Sequence, residues 1–280
     1  MAVIVVTDSS STLPSDVVAQ NNIRVVPLHV LHNGNDLREG VDEIPSAVWR
    51  SNGVSTAGAS PEELREVFDK AVRDSGGDGV VGIFLSRKLS STWEAAHQAA
   101  SDIGSAVRVV DSRAAAFSLA FVVQAAAVAA NRGATRDEVY DTVVDAANRT
   151  SSFVYVNQLD NLRRGGRIGA ASALLGTALA IKPVLQLEDG ALGIREKTRT
   201  ATKAINRLID ISVETARQKE HVSIAVQHLE AEDRARDVLA RVTARLEGFH
   251  ATYITDLGAV LGVHLGPGAI SVSMFARREF

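Results

Sequence analysis

The stretch VVGIFLSRKLSSTWEAA, residues 80–96, decides the fold, because a short apolar run passes there through a hydroxyl-rich turn into a predicted helix. The run Val80–Leu85 is apolar and rich in β-branched residues, which is typical of a strand buried on both faces of a parallel sheet. The turn that follows carries four hydroxyl side chains, Ser86, Ser90, Ser91 and Thr92. In open parallel sheets ligands bind beyond the carboxyl ends of the strands, where a helix N-terminus favours anions. The stretch therefore predicts a carboxylate or phosphate site.

The same hydroxyls also have a purely structural interpretation. Serine and threonine are favoured helix N-caps, since their oxygens accept the first unpaired backbone N–H groups. The sequence SSTWE at 90–94 fits the capping-box pattern of serine with glutamate three residues later. One cap needs only one hydroxyl and this turn carries four, so capping and ligand binding both stay open.

Composition narrows the class of protein. The 280 residues, 46% hydrophobic and 22% charged, suit a globular protein of one large or two modest domains. A net charge of −3 predicts no nucleic-acid partner, and the absence of cysteine excludes disulfides and thiolate metal sites, which fits a cytoplasmic location. The N-terminus lacks the basic region of a signal peptide. The apolar stretch 114–130 is shorter than the ~20 residues that span a bilayer, so we expect no transmembrane segment.

The first half of the chain alternates between strand-like and helix-like segments. We expect strands at 2–7, 23–31, 80–85 and 106–110, a hairpin turn at 32–34, and helices at 14–21, 60–75, 114–130 and 135–148. A small-residue loop at 54–60 precedes the helix start at Ser60 and Pro61. Such βα alternation favours a three-layer domain with a parallel sheet. Four carboxylates, Asp36, Glu39, Asp42 and Glu43, suggest a metal site or a solvated acidic loop, and their spacing matches no metal-binding loop.

The pattern changes after residue 151. We expect strands at 153–156, 222–228, 250–255 and 269–275, an antiparallel ribbon at 181–198, and helices at 159–163, 200–218 and 231–246. This indicates a second, mixed-sheet α/β domain, and we place the domains at 1–154 and 155–280. The segment 258–268 holds four glycines around His264 and reads as a loop. Glycines let the backbone approach an anion, although the histidine could equally be hydrogen-bonded to a neighbour in a buried loop.

Seven motifs, in order along the whole chain, resemble those of the DegV family. They are TDSSSTLP at 7–14, STAGASPEEL at 55–64, LSRKLSSTWEAA at 85–96, VVDSRAAA at 109–116, NLRRGGRI at 161–168, LAIKPVL at 179–185 and GVHLGPGA at 262–269. The resemblance implies two α/β domains with a lipid site between them. It also implies a subunit without a cofactor or nucleotide site of its own, which binds a long-chain fatty acid such as palmitate or oleate. The partner implied is a fatty acid kinase subunit, related to dihydroxyacetone kinase, which makes the acyl phosphate of phospholipid metabolism.

The resemblance also assigns roles to individual residues. Thr56 matches the threonine of the family's TSQPS loop, Ser90 the serine of its LSSGLSGT turn, and His264 the histidine of its THLGPG loop. These three are expected to hold the carboxylate, with Ser91 and Thr92 as additional donors. The chain departs from the family in having TAGAS at 56–60 and in placing Ser91 where glycine is usual. Candidates for the acyl-chain pocket are apolar residues of the second domain, Leu174, Leu175, Val184 and Leu185.

Two further features remain open. Arg163, Arg164 and Arg167 are the densest basic cluster, and they could meet an acidic kinase surface or the incoming phosphate, or simply face solvent at a helix end. The alternative function is an acyl hydrolase with Ser90 as nucleophile, His264 as base and Asp8 or Asp111 orienting the imidazole. No G-x-S-x-G elbow surrounds Ser90, and a nucleotide-binding enzyme is disfavoured because neither glycine-rich phosphate motif is present.

Overall fold

The computed structural model describes residues 2–51, 53–169 and 181–277. The chain divides into two compact units, the first made of Met1–Ile44 with Thr56–Asn148 and the second of Pro45–Ser55 with Arg149–Phe280. The 45–55 segment joins the second unit because its 3-10 helix Ser46–Arg50 packs against a helix near residue 260. The predicted division at 154/155 would cut a strand that this grouping keeps whole.

The first unit is built on a parallel four-stranded sheet in the order β2-β1-β6-β7. Its strands are β1 Ile4–Asp8, β2 Arg24–Val26, β6 Val80–Phe84 and β7 Val107–Asp111. Its helices are α1 Ser15–Gln20, α2 Pro61–Ser75, α3 Thr92–Ile103, α4 Phe117–Asn131 and α5 Arg136–Asn148. A smaller sheet has the order β4-β3-β5, formed by β3 His29–His32, β4 Asn35–Arg38 and β5 Val54–Ala57.

Burial on both faces explains the apolar central strands. Every residue of β1 and β6 is buried, and the pairs α2–α3 and α4–α5 each pack together and on the sheet. This is the three-layer parallel architecture that the sequence predicts. Helix α2 begins as expected, with a complete capping box in which Ser60 and Glu63 exchange backbone-to-side-chain hydrogen bonds.

Three segments of the first unit differ from their predictions. The single strand expected at 23–31 is two strands in different sheets, because Pro27 has no N–H to continue the ladder between them. The expected acidic loop contains β4, paired in a hairpin with β3 through a turn at Asn33 and Gly34. The predicted small-residue loop at 54–60 begins as strand β5.

The second unit contains a mixed six-stranded sheet in the order β10-β9-β8-β13-β11-β12. Its strands are β8 Thr150–Tyr155, β9 Lys182–Glu188, β10 Ala191–Thr198, β11 Val222–His228, β12 Ala251–Asp256 and β13 Ile270–Ala276. Only β11 and β12 pair in parallel among these described strands. The described helices are α6 Asp160–Arg164, α7 Ala201–Ala216, α8 Glu232–Thr243 and α9 Ala259–Leu265.

The core of the second unit lies where α7 and α8 pack on the sheet. Alternate residues of β8, β11 and β13, such as Tyr155, Ile224 and Val272, point into this core and are fully buried. The residues between them in β11 and β13 are buried as well, so both faces of these central strands are covered. In the described part of the chain no helix is both long and apolar enough to cross a membrane.

The segment 258–268 is not the loop that its glycines predict. Residues Ala259–Leu265 form helix α9, with Gly258 and Gly266 at its two ends in positive-φ conformations. Between these two glycines the run AVLGVHL contains no proline, so the backbone can complete its helical bonds. His264 therefore stands on a helix.

Candidate functional site

The turn after β6 is organised by Ser86, which is fully buried. The Ser86 N–H donates to the carbonyl of Ala114 at 2.9 Å, and its own carbonyl accepts from the N–H groups of Leu89 and Ser90. The Ser86 hydroxyl accepts from the Lys88 N–H at 3.2 Å. The hydrogen bonds of Ser86 thus hold the turn together and fix the position of Ser90 in it.

Ser90 and Thr92 form a hydroxyl pair at the start of α3. Their Oγ and Oγ1 atoms are 2.8 Å apart, and the Thr92 N–H donates to Ser90 Oγ at 3.3 Å. Ser91, the residue preceding the helix, makes no side-chain cap, so the predicted SSTWE capping box is wrong. The Ser90 hydroxyl accepts from the Thr92 N–H at this helix start, and the Ser91 side chain has no capping role.

The loop that carries Thr56 reaches this pair through Gly58. A Cβ at Gly58 would lie 2.6 Å from Thr92 Oγ1 and 3.3 Å from both Ser90 Oγ and the Thr92 nitrogen. Real Cβ atoms do not approach that closely, so only glycine fits with the hydroxyl pair in this position. Thr56, two residues earlier on β5, is half-buried. The structure therefore brings together the two loops of the first unit in which donors were predicted.

Asp8 is a buried carboxylate that ties the ends of two sheet strands together. Its Oδ2 accepts from the Leu85 N–H at 2.8 Å, and its Oδ1 accepts from the Ser10 N–H at 3.0 Å. Burial raises the pKa of Asp8 to about 6, and the hydrogen bonds from Ser10 and Leu85 oppose that rise. Asp8 thereby anchors Leu85, the residue just before the Ser86–Ser90 turn, to β1.

The acidic segment near residue 40 is engaged in ordinary pairs. Asp36 Oδ1 lies 2.7 Å from His29 Nδ1, Asp42 accepts from the Arg38 N–H, and Ser9 donates to Glu39 at 2.6 Å. In the described ranges no three or more histidine, aspartate or glutamate side chains are grouped so that they could hold a metal ion.

In the second unit, His264 meets the glycines of the RRGGR motif. A Cβ at Gly165 would lie 2.2 Å from His264 Nδ1, so the imidazole packs directly on the backbone after α6. Asn161 of α6 donates to the Val263 carbonyl at 3.0 Å and holds the two helices together. Burial, together with the nearby Arg167 charge, lowers the pKa of His264 to about 4. His264 is therefore neutral near pH 7 and can donate one ring N–H.

The three arginines predicted as one cluster have two different surroundings. Arg167 lies near His264 and donates to the Gly165 carbonyl at 2.6 Å. Arg163 and Arg164 instead line a cavity with Trp49 and Arg50. Of the acyl-pocket candidates, Val184 and Leu185 are fully buried on β9, and Leu174 and Leu175 lie outside the described residues.

Sequence reasoning missed Gly58 and Gly165, and it considered Asp8 only as a residue that could orient His264 in a hydrolase. The two glycines belong to motifs noted in the sequence, but only coordinates show which side chain a Cβ would strike. Asp8 is the last residue of β1, at the carboxyl end of a buried strand, which is the sheet edge where ligands bind.

These features define the class of protein as two α/β units, the first carrying a hydroxyl-lined turn and the second a buried histidine. A family model described as "Uncharacterised protein, DegV family" matches residues 2–277. The chain therefore belongs to the DegV family. A DegV domain-containing protein of Mycobacterium tuberculosis is 44% identical over 272 residues, covering 97% of this chain and 96% of the relative.

Two solved structures extend the likeness. A DegV family protein from Thermus thermophilus, described as binding fatty acid, has a TM-score of 0.93 at 29% identity, covering 99% of this chain and 100% of its own. DegV from Bacillus subtilis, described as a fatty acid binding protein, has a TM-score of 0.87 at 26% identity with the same coverage. Both confirm the α/β fold class.

Proposed function

We propose that this protein binds one long-chain fatty acid and presents its carboxylate to a separate ATP-dependent kinase subunit. The observation that carries the proposal is the Ser90–Thr92 hydroxyl pair, against which the backbone of Gly58 packs closely. The description of two structural relatives as fatty acid binding supports the ligand class. A carboxylate that leaves water needs hydrogen bonds to offset several kcal/mol of desolvation.

The hydroxyl pair suits an anion because it has a donor to spare. If the Thr92 hydroxyl donates to Ser90 Oγ, which also accepts from the Thr92 N–H, the Ser90 proton is left for a ligand. A hydroxyl that accepts two hydrogen bonds becomes a stronger donor. Thr56 and the neutral ring N–H of His264 are the other proposed carboxylate donors, and Ser91 is an additional candidate.

The kinase subunit is inferred from family resemblance and from chemistry. The motifs expected of a nucleotide site are lacking in this sequence, so phosphoryl transfer to the carboxylate requires a partner that binds ATP. The product is an acyl phosphate. We assign Arg163, Arg164 and Arg167 to contacts with that partner or with the transferred phosphate, since guanidinium groups match phosphate geometry.

The hydrolase alternative is disfavoured because both carboxylates that could orient the imidazole, Asp8 and Asp111, already accept other hydrogen bonds. Both Asp8 oxygens accept backbone N–H groups, from Leu85 and Ser10. Asp111 accepts from the Arg113 N–H at 3.0 Å and pairs with Arg87 at 3.6 Å. Each carboxylate that was a candidate to orient the imidazole is thus occupied in maintaining the turns of the first unit.

Native mass spectrometry of the purified protein tests the proposal. We expect one co-purified long-chain fatty acid per chain, and no ATP hydrolysis by the protein alone before or after delipidation. Bound nucleotide without lipid would contradict the carrier function.

A further inference from the structure

The second unit contains an open cavity of about 580 Å³ whose lining is mainly cationic and polar. Its lining residues all belong to the second unit, and neither the hydroxyl pair nor His264 is among them. Its residues come from the 45–55 segment, from the end of β8 through α6, and from the turn after α9. They are Trp49, Arg50, Asn157, Gln158, Asp160, Asn161, Arg163, Arg164 and Pro267.

The guanidinium of Arg164 is held in place by the buried side-chain amide of Asn161. Asn161 is only 3% exposed, and its Oδ1 accepts from Arg164 Nη2 at 3.2 Å. The Asn161 Nδ2 group is used as well, donating to the Val263 and Trp49 carbonyls at 3.0 and 3.3 Å. A guanidinium supported in this way loses less conformational freedom when it binds a ligand.

Arg50, which also lines the cavity, is held in place by Glu230. Arg50 Nη1 donates to Glu230 Oε1 at 3.1 Å, and the Trp49 indole N–H donates to the same oxygen at 3.0 Å. Glu230 also pairs with Arg50 Nη2. The indole packs on the backbone of α9, where a Cβ at Gly262 would lie 3.3 Å from Trp49 Cε3. Trp49 and Arg50 thus form a fixed wall.

The charge balance of the cavity selects a dianion. Three guanidiniums against the Asp160 carboxylate leave two positive charges in the lining. Of the charges next outward, Glu230 lies behind Arg50, Lys182 donates to Asn157 Oδ1 at 3.1 Å, and Arg234 lies beside Gly268, so these surroundings add no net negative charge. Arg163 is only loosely paired with Asp160, at 3.7 Å. Planar guanidiniums bind phosphate oxygens in pairs, which adds geometric specificity to the charge.

We propose that this cavity binds the phosphate group of a small organic phosphate, as a site separate from the one proposed for the carboxylate. Its volume falls within the ~300–1,000 Å³ of small-molecule sites. A small phosphate in this cavity therefore takes the place of the kinase contact considered above for Arg163 and Arg164, whereas Arg167 keeps that role. An acyl phosphate, a sugar phosphate and a nucleotide share the phosphate chemistry. The site does not depend on fatty-acid binding.

Calorimetric titration of the full-length protein with acetyl phosphate, glycerol 3-phosphate and AMP, at low salt, tests the proposal. We expect saturable one-to-one binding of at least one of them, weakened at least about tenfold by Arg164→Gln. The ranking of the three identifies the source of the phosphate. Arg163→Gln serves as the second variant if loss of the Arg164–Asn161 contact impairs folding, since the Arg163 ion pair is exposed.

Arg236→Gln is the matched control, because Arg236 is an exposed, ion-paired arginine of α8 that does not line the cavity. It should leave binding unchanged. The proposal fails if none of the three phosphates binds saturably, if both cavity variants bind like the wild type, or if only an acidic peptide binds. Fatty-acid affinity measured on the same variants distinguishes the phosphate site from the site proposed for the carboxylate. If the wild-type protein binds no fatty acid, the carrier function is refuted, but the proposed phosphate site is not.

Discussion

At the residue scale, the first unit's candidate site depends on a missing methyl group. Gly58 has an ordinary backbone conformation, so its glycine is required by space and not by φ. Replacing it would force Thr92 Oγ1, 2.6 Å from the new Cβ, out of the hydroxyl pair. Thr92 is fully buried and has little room to yield. The position therefore controls whether the pair stays assembled.

Gly58→Ala should weaken fatty-acid binding by about ten- to a hundredfold, the worth of one charge-assisted hydrogen bond of roughly 1.5–3 kcal/mol. Fluorescent fatty-acid displacement measures the affinity. Gly248→Ala is the control, because Gly248 has open space around its Cβ position. Equal affinities of the two variants would show that the hydroxyl pair does not contact the carboxylate.

Asp8 and His264 make opposite contributions to the pH dependence of stability. Burial raises the pKa of Asp8 from 3.8 to about 6, so from pH 3.8 to about 6 folded Asp8 retains a proton that the unfolded chain has released. That contribution destabilises the protein as pH rises. Burial lowers the pKa of His264 from 6.5 to about 4, so in that window only the unfolded chain is protonated. That contribution stabilises the protein as pH rises.

Each shift of about two units corresponds to roughly 3 kcal/mol, so the two contributions largely cancel in the wild type. Asp8→Asn should therefore gain stability more steeply than the wild type as pH rises from about 4 to 6. His264→Gln should change in the opposite sense. Urea unfolding at several pH values gives the free energies of unfolding. Parallel curves for all three proteins would show that neither group titrates as described.

At the element scale, the contact between α6 and α9 positions His264. Asn161 joins the helices through the Val263 carbonyl, and Gly165 admits the imidazole against the backbone. Local sequence pattern predicted α6 and most strands, with ends that differ by up to about three residues, because apolar periodicity acts locally. It did not predict α9, because glycines at both ends and in the middle are typical of a loop. Only packing on Trp49 and Leu229 accounts for Gly262 inside a helix.

Gly165→Ala tests that contact. The new Cβ would overlap His264 Nδ1 at 2.2 Å, so the ring must move and any hydrogen bond it makes to the carboxylate is lost. We expect a loss of fatty-acid affinity similar to that of His264→Ala, with Gly248→Ala again unchanged. A double variant, Gly165→Ala with His264→Ala, should be no weaker than either single variant. Additive losses would mean that Gly165 acts by another route.

At the scale of the whole molecule, the order of strands and helices was predictable from the sequence. Which distant segments and side chains lie together was not. Alternating strands and helices indicated a parallel sheet in the first unit, and the antiparallel ribbon indicated a mixed sheet in the second. Membership of the 45–55 segment in the second unit depends on contacts such as Trp49 with Glu230, about 180 residues apart in sequence. No local pattern encodes such a contact. The same holds for the separation of Arg167 from Arg163 and Arg164.

The central claim, that Ser90 holds a carboxylate and is not a nucleophile, is tested most directly by two assays on one set of variants. Fatty-acid affinity and p-nitrophenyl ester hydrolysis are measured for Ser90→Ala, Thr56→Val and His264→Ala. We expect each substitution to weaken binding by roughly 1.5–3 kcal/mol, and to leave any slow ester hydrolysis unaffected. A nucleophile contributes mainly to the transition state, so its loss would abolish turnover and spare affinity. Unchanged fatty-acid affinity in Ser90→Ala, together with ester hydrolysis that requires Ser90, would contradict the account.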